Sequence, residues 1–314
     1  MKLRVTGLLL ASLMILSVIV PVFAAAAEEP AVEDEVQTET VNTIAPFNLD
    51  GAPLTELEYQ LIGGVNYVTV ESFFTAMSAE AMVEEGNGSV VASCAAVNQV
   101  IDMTGAGDGD EPQDRVVAAN VVEETLTFTA RVNDCYVAAN GHYLYVSGRV
   151  QTIGGKTAVP IRTMAEIFNL DVAYHGATRS VWLTHRAGTD AYIDEAVYDE
   201  DTLYWLSHII YAESGNQPML GKIAVGNVVM NRVASPKFPN TIKAVLFQKN
   251  QFSPAGSGSI YREPNRDSVI AAKLVMEGAV VLENALFFNM AGMNTYASRN
   301  RVYVATIGAH AFFD

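Results

Sequence analysis

Cysteine is scarce in this chain of 314 residues: there are two, Cys94 and Cys135. Neither lies beyond residue 200, so a cysteine nucleophile is excluded from the last third. Outside the cytoplasm the pair is free to form a disulfide, a point the sequence leaves open. Histidine is nearly as sparse, at five. Residues 201–314 hold only His208 and His310, with no HExxH pattern, too few for the three-ligand site of a zinc amidase. Positive charge is also short, with 19 Lys and Arg against 35 Asp and Glu and a net charge of −16. A chain without a basic patch or stripe does not read as a nucleic-acid binder. A long apolar run occurs once, at the very start, so nothing later in the sequence is expected to cross a membrane.

That first run has the form of an export leader. Lys2 and Arg4 precede an apolar stretch from Val5 to Val20, and Val22-Phe23-Ala24 offers small residues where a signal peptidase reads. Residues 1–24 are therefore expected to be a signal peptide, with an uncleaved anchor as the alternative, and the protein to be secreted and to act at the cell wall or spore envelope. Contact with a membrane is expected only through this segment. Residues 25–47, containing "AEEPAVEDEVQTETVNT", form an acidic linker nearly free of aromatics. The charge is unevenly spread. Residues 201–314 carry ten basic and seven acidic side chains, and the rest carry nine and 28. An acidic front and a mildly basic rear indicate two modules with different tasks.

Residues 48–186 contain a repeat. "IGGVNYVTVESFFTAMSAEAMVEEGNGSVVAS" from Ile62 aligns without gaps to "IGGKTAVPIRTMAEIFNLDVAYHGATRSVWLT" from Ile153. Each copy shows a Gly-Gly turn and an alternating strand (Val68 and Val70; Val159 and Ile161). A short helix (Phe73–Met77; Met164–Phe168) and a closing strand (Val90-Val91; Val181-Trp182) follow. The second copy, with "RVNDCYVAANGHYLYV" upstream, resembles the stalk domain named after the N-terminal domain of copper amine oxidases. His142, His175 and His185 have no ligand-like spacing, so no copper is expected. Asp108, Asp110 and Glu111 lack the spacing of a calcium loop and read as a polar hairpin tip. The module is expected to be a spacer or wall-facing stalk, and 187–200 a second linker.

In 201–314 the stretch "LYWLSHIIYAESG" places Leu203, Leu206, Ile209 and Ile210 at helical spacing, with Gly215 as C-terminal cap. Glu213 then falls in the last turn, the wrong end of the helix dipole for a negative charge. Tyr and Ile neighbours disfavour ionisation further, so both effects raise its pKa. A carboxylic acid protonated near neutrality suits protonation of a glycosidic oxygen. Taken alone, the same residue also reads as a helix-terminal Glu pointing into water.

The wider stretch resembles the spore cortex-lytic (SleB-type) cell wall hydrolase family. It does so through "YAESG", "NRVASPKFP", "QFS", "ALFFN" (285–289) and "IGAHAFF" (307–313). The resemblance implies a small lysozyme-like catalytic domain acting on peptidoglycan glycan strands, with Glu213 at the position of the family's catalytic glutamate. The expected fold class is α+β, a lysozyme-like catalytic domain after a duplicated α+β stalk domain. Gln251, Phe252 and Ser253 follow a polar turn and are candidates to line a sugar groove; Phe252 alone reads equally as core. Phe288 and Asn289 end an apolar strand where Asn would meet an N-acetyl group, and His310 is a substrate contact or a structural histidine. No cofactor or metal is expected.

Two carboxylates flank the bond in ordinary glycosidases. Only Glu263 and Asp267, in "YREPNRD", offer a second one, and they read equally as a solvated loop. A lytic transglycosylase needs one acid, which the resemblance favours. The alternatives are a hydrolytic muramidase and a catalytically inactive wall-binding protein.

Overall fold

The computed structural model describes residues 47–98 and 122–314, which belong to one compact unit. The expected leader, the acidic linker up to residue 46 and the acidic tip at Asp108, Asp110 and Glu111 lie outside the described residues.

The chain opens on β1 (Phe47–Leu49) and β2 (Ala52–Leu54), then forms the hairpin β3 (Tyr59–Ile62) and β4 (Val65–Thr69), followed by α1 (Val70–Met77). β5 (Met82–Gly86), β6 (Ser89–Asn98), β7 (Val122–Arg131), β8 (Tyr136–Ala139) and β9 (His142–Tyr145) make a five-stranded antiparallel sheet. A second set follows: β10 (Gln151–Ile153), β11 (Lys156–Pro160), α2 (Ile161–Ile167), β12 (Leu170–His175) and β13 (Ser180–His185). β10 and β11 extend the β3–β4 hairpin into one sheet, and β12 and β13 join β1 and β2 in another, with β1 parallel to β13.

The repeat is visible in the turns. Gly63-Gly64 and Gly154-Gly155 close two-residue hairpins, with φ of +57° and +81° in the first and +57° and +86° in the second. Such turns need positive φ at both positions, which glycine supplies without a Cβ penalty. Val70 and Ile161 do not end the strands, as the alternation suggested. They open the helices, and Thr69 caps α1 by accepting from the Ser72 N–H at 3.3 Å. A β-branched residue after an extended strand fits both states, and the cap settles which is taken. Phe73 and Phe74 of α1 meet Phe168 from the other copy at ring distances of 5.5 and 5.1 Å, so one core serves both copies.

The C-terminal part is built on α3 (Glu200–Ser214), α4 (Met219–Ala234), the short helices α5 (Ile242–Leu246) and α6 (Ser253–Ser257), and α7 (Arg266–Met276). A three-stranded antiparallel sheet closes it, β14 (Phe287–Met290) pairing with β16 (His310–Phe313), which pairs with β15 (Tyr303–Ile307). Helices and strands thus make an α+β fold. Gly226 lets α4 approach α3 and α7, since a Cβ there would lie 2.8 Å from Val275 Cγ2 and 3.1 Å from Ile210 Cδ1. The buried Asn227 amide donates to the Ala279 carbonyl at 2.8 Å, and its oxygen accepts from the Val281 and Leu282 N–H groups.

The two halves share a core. Cys135 is buried in the C-terminal cluster, and Tyr136, Tyr143 and Tyr145 pack against it. His142 meets Glu277 at 2.8 Å, and the Tyr198 hydroxyl donates to the same Glu277 oxygen at 2.9 Å. The segment read as a linker, 187–200, is mostly exposed but anchored at several points. Tyr192 is buried in the N-terminal core, the Ile193 N–H donates to the Ile167 carbonyl, and Glu200 already begins α3. Cys94 and Cys135 are free thiols, buried in different cores. No helix among the described residues is long and apolar enough to cross a membrane.

Candidate active site

The site starts from the end of α3. Asp199 caps the helix, with Glu200 and Asp201 in its first turn, where negative charge is favoured. Glu213 sits at the opposite end. Gly215, the C-cap, keeps right-handed φ at −55°, so its glycine is required by space: a Cβ would come within 2.7 Å of the Tyr211 carbonyl oxygen. The Gly215 carbonyl accepts from the buried Lys222 ammonium at 3.0 Å and from Asn265 Nδ2 at 3.1 Å. These donors satisfy the helix end, as its orphan carbonyls require.

Glu213 is half-buried, and burial pushes its carboxyl up to about 6, against the lowering influence of Arg232. Arg232 stands in the last turn of α4, 4 % exposed. Its Nε donates to the Leu286 carbonyl at 2.7 Å, and its guanidinium lies over the rings of Phe238, Phe252 and Phe287 at 5.0, 4.9 and 5.3 Å. Burial lowers its pKa to about 10, which leaves it cationic at neutral pH. Stacking on aromatic faces suits the weakly hydrated, planar guanidinium.

The opposite wall is the β14–β16 pair, where Asn289 faces Ala311 and Met290 faces His310. Asn289 Oδ1 accepts from the Thr295 hydroxyl at 2.6 Å, which fixes its amide. The His310 ring packs edge-on to Phe288 at 5.3 Å, and burial lowers its pKa. A loop with Asn250 at φ +65° brings in Gln251 and the first residues of α6.

These parts enclose a cavity of about 580 Å³. All seven residues expected from the sequence line it: Glu213, Gln251, Phe252, Ser253, Phe288, Asn289 and His310. Phe288 and Asn289 lie in β14, close to its end. Phe252 is both core, at 5 % exposure, and cavity wall. Among the lining residues Glu213 is the sole carboxylate; Glu263 and Asp267 are exposed and lie outside the cavity. Sequence reading missed Arg232, Asn250, Gly256 and Met290. For Arg232 a signal existed, since it continues the buried stripe of Val225, Val228 and Val229 at helical spacing.

Comparison with known proteins gives two family matches. Residues 216–313 match the family model described as cell wall hydrolase, beginning just past Glu213, and residues 95–183 match that of the copper amine oxidase N-terminal domain. The C-terminal region is therefore a cell wall hydrolase domain, with a copper amine oxidase N-terminal domain upstream. A spore cortex-lytic enzyme of Bacillus cereus is 33 % identical over 116 residues, 37 % of this chain and 45 % of that protein. The spore cortex-lytic enzyme of Bacillus subtilis is 29 % identical over 116 residues, 37 % of this chain and 38 % of its own. The chain thus spans less than half of these relatives. The solved catalytic domain of the germination-specific lytic transglycosylase SleB from Bacillus anthracis is 30 % identical, covering 37 % of this chain and 97 % of that one, with a TM-score of 0.35.

Proposed function

We propose that the C-terminal domain cleaves the MurNAc–GlcNAc glycan strand of peptidoglycan as a lytic transglycosylase, with Glu213 as both acid and base. One observation carries this reading: a single carboxyl, raised to about 6 by burial, in a cavity with no second carboxylate among its lining residues. Inverting and retaining hydrolysis each place two carboxylates about the bond. With one, the balanced reaction is an intramolecular transfer. Glu213 gives its proton to the glycosidic oxygen as the bond to muramic C1 breaks. The C6 hydroxyl of the same sugar then attacks C1 and returns a proton to Glu213. The products are a 1,6-anhydromuramic end and a free GlcNAc hydroxyl; no water is consumed and the acid is regenerated.

The surrounding residues have matching tasks. Phe252 and Phe288 supply apolar faces for sugar rings, and Gln251, Ser253 and Asn289 supply hydrogen-bonding groups at the same wall. Arg232 holds Phe252 and β14 in place and limits how far the Glu213 pKa climbs. The relatives described as spore cortex-lytic enzymes support a peptidoglycan substrate and action outside the cytoplasm. In this reading the N-terminal module serves as a wall-facing stalk. The test is solubilisation of purified peptidoglycan by the native protein and by Glu213→Gln. We expect the variant to fold and to lose at least about a hundredfold in rate; full activity would remove Glu213 from the reaction.

A further inference from the structure

The repeat in the N-terminal module provides its own reference for what fills a cleft. β4 and β11 pair about a local two-fold axis, Tyr67 with Pro160, Val68 with Val159 and Thr69 with Ala158. The repeat sets Ile62 on Ile153 and each residue n on n + 91, and this register maps the paired strands onto each other. Asn66 and Thr157 are mates. Each stands one step inside its Gly-Gly hairpin, opposite Leu61 and Thr152, in the non-hydrogen-bonded position. Their N–H groups therefore point away from the hairpin partner, toward a neighbouring strand that has by then turned into its helix.

One half of the module supplies its own acceptor. Both oxygens of Glu85 take the Thr157 N–H, at 3.1 and 3.0 Å, and Lys156 beside it pairs with Glu58 at 2.7 Å and Glu71 at 2.8 Å. The other half does not. Glu85 faces Val90 across its hairpin, whereas Val181, the mate of Val90, faces Tyr174. By count Glu85 falls on Gly176, but the second hairpin carries two more turn residues, so by strand pairing Tyr174 stands where Glu85 stands, and it is 65 % exposed. Arg162 holds the position of Glu71 with no ion-pair partner among the described residues, and Val65 replaces Lys156. Between these residues lies a cleft of about 720 Å³, lined by Val65, Asn66, Tyr145, Arg162 and Tyr174, with Asn66 Oδ1 buried and unpartnered in its wall. The cleft keeps the backbone donor, exchanges an anion for a cation, and lacks the carboxylate.

We infer that this cleft is a binding site for the free carboxylate of a peptide, held by the Asn66 N–H and Arg162, with the chain lying against Tyr145 and Tyr174. A charge-assisted hydrogen bond to an ionised acceptor is among the stronger polar contacts, and two aromatic faces with an apolar floor suit a peptide more than a compact anion. The site is separate from the Glu213 cavity and independent of the reaction proposed there.

The test is calorimetric titration of the exported chain with the tripeptide Ala-Ala-Ala, its C-terminal amide, and galacturonate as a sugar acid. The free acid should bind at least about tenfold more tightly than the amide or the sugar acid. Tyr174→Glu rebuilds the arrangement of Glu85 and should abolish binding while raising the melting temperature; Arg162→Glu should weaken binding at least about tenfold. Both variants should keep wall-cleaving activity, which shows that they fold. No binding of the tripeptide, equal binding of acid and amide, equal binding of the sugar acid, or unchanged binding by Tyr174→Glu would each overturn the assignment.

Discussion

Glu213 is a side chain whose placement costs stability. Its carboxyl is raised from 4.5 to about 6, so between those values the folded chain holds more protons than the unfolded one. Stability therefore falls as pH rises through this window and stays lowered above it, by roughly 2 kcal/mol at 1.36 kcal/mol per unit. Glu213→Gln should accordingly melt higher than the native protein at pH 7 and level with it near pH 4, as denaturant titrations at the two pH values would show. As a general acid Glu213 works protonated, so cleavage should decline as pH rises past about 6. Arg232→Met removes the charge that holds this pKa down and should move that limb to higher pH, with a loss of about 1–3 kcal/mol in stability from the unpaired Leu286 carbonyl. Glu213 stood out in the sequence as an acid at the C-terminal end of an apolar helix, but that pattern also fits a Glu pointing into water; the resemblance of "YAESG" and the motifs after it made it the candidate acid. For Arg232 the reward, three aromatic faces drawn from residues 238, 252 and 287, is assembled by the fold.

Among the elements, the first helix of the C-terminal domain was readable from apolar spacing, and the Gly-Gly hairpins from turn chemistry. The boundary between β4 and α1 was not, because Val70 suits either state until Thr69 caps the helix. Gly226 is a point of close approach between helices, and its surroundings make the cost of a side chain concrete. Gly226→Ala should be destabilised by about 1–3 kcal/mol, since Val275 and Ile210 must both move, despite alanine's better helix propensity. Urea denaturation tests this; a gain in stability would mean the α3–α4–α7 packing is looser than described.

Over the whole molecule, the N-terminal module and the hydrolase domain are joined by contacts between residues far apart in sequence, such as His142 with Glu277, which no local pattern announces. Glu277→Ala should leave His142 and Tyr198 without their shared acceptor and lower stability by about 1–3 kcal/mol without touching the cavity. Thermal unfolding read alongside cleavage rate separates the two effects. The N-terminal module is thus packed against the C-terminal domain along α7. What the domain does to the wall is tested most directly by mass spectrometry of the muropeptides released from purified peptidoglycan. The single carboxyl of the cavity predicts muramic ends lighter by one water, absent from the Glu213→Gln digest. Reducing ends of full mass would contradict the transglycosylase account and require a second carboxylate that the cavity does not hold.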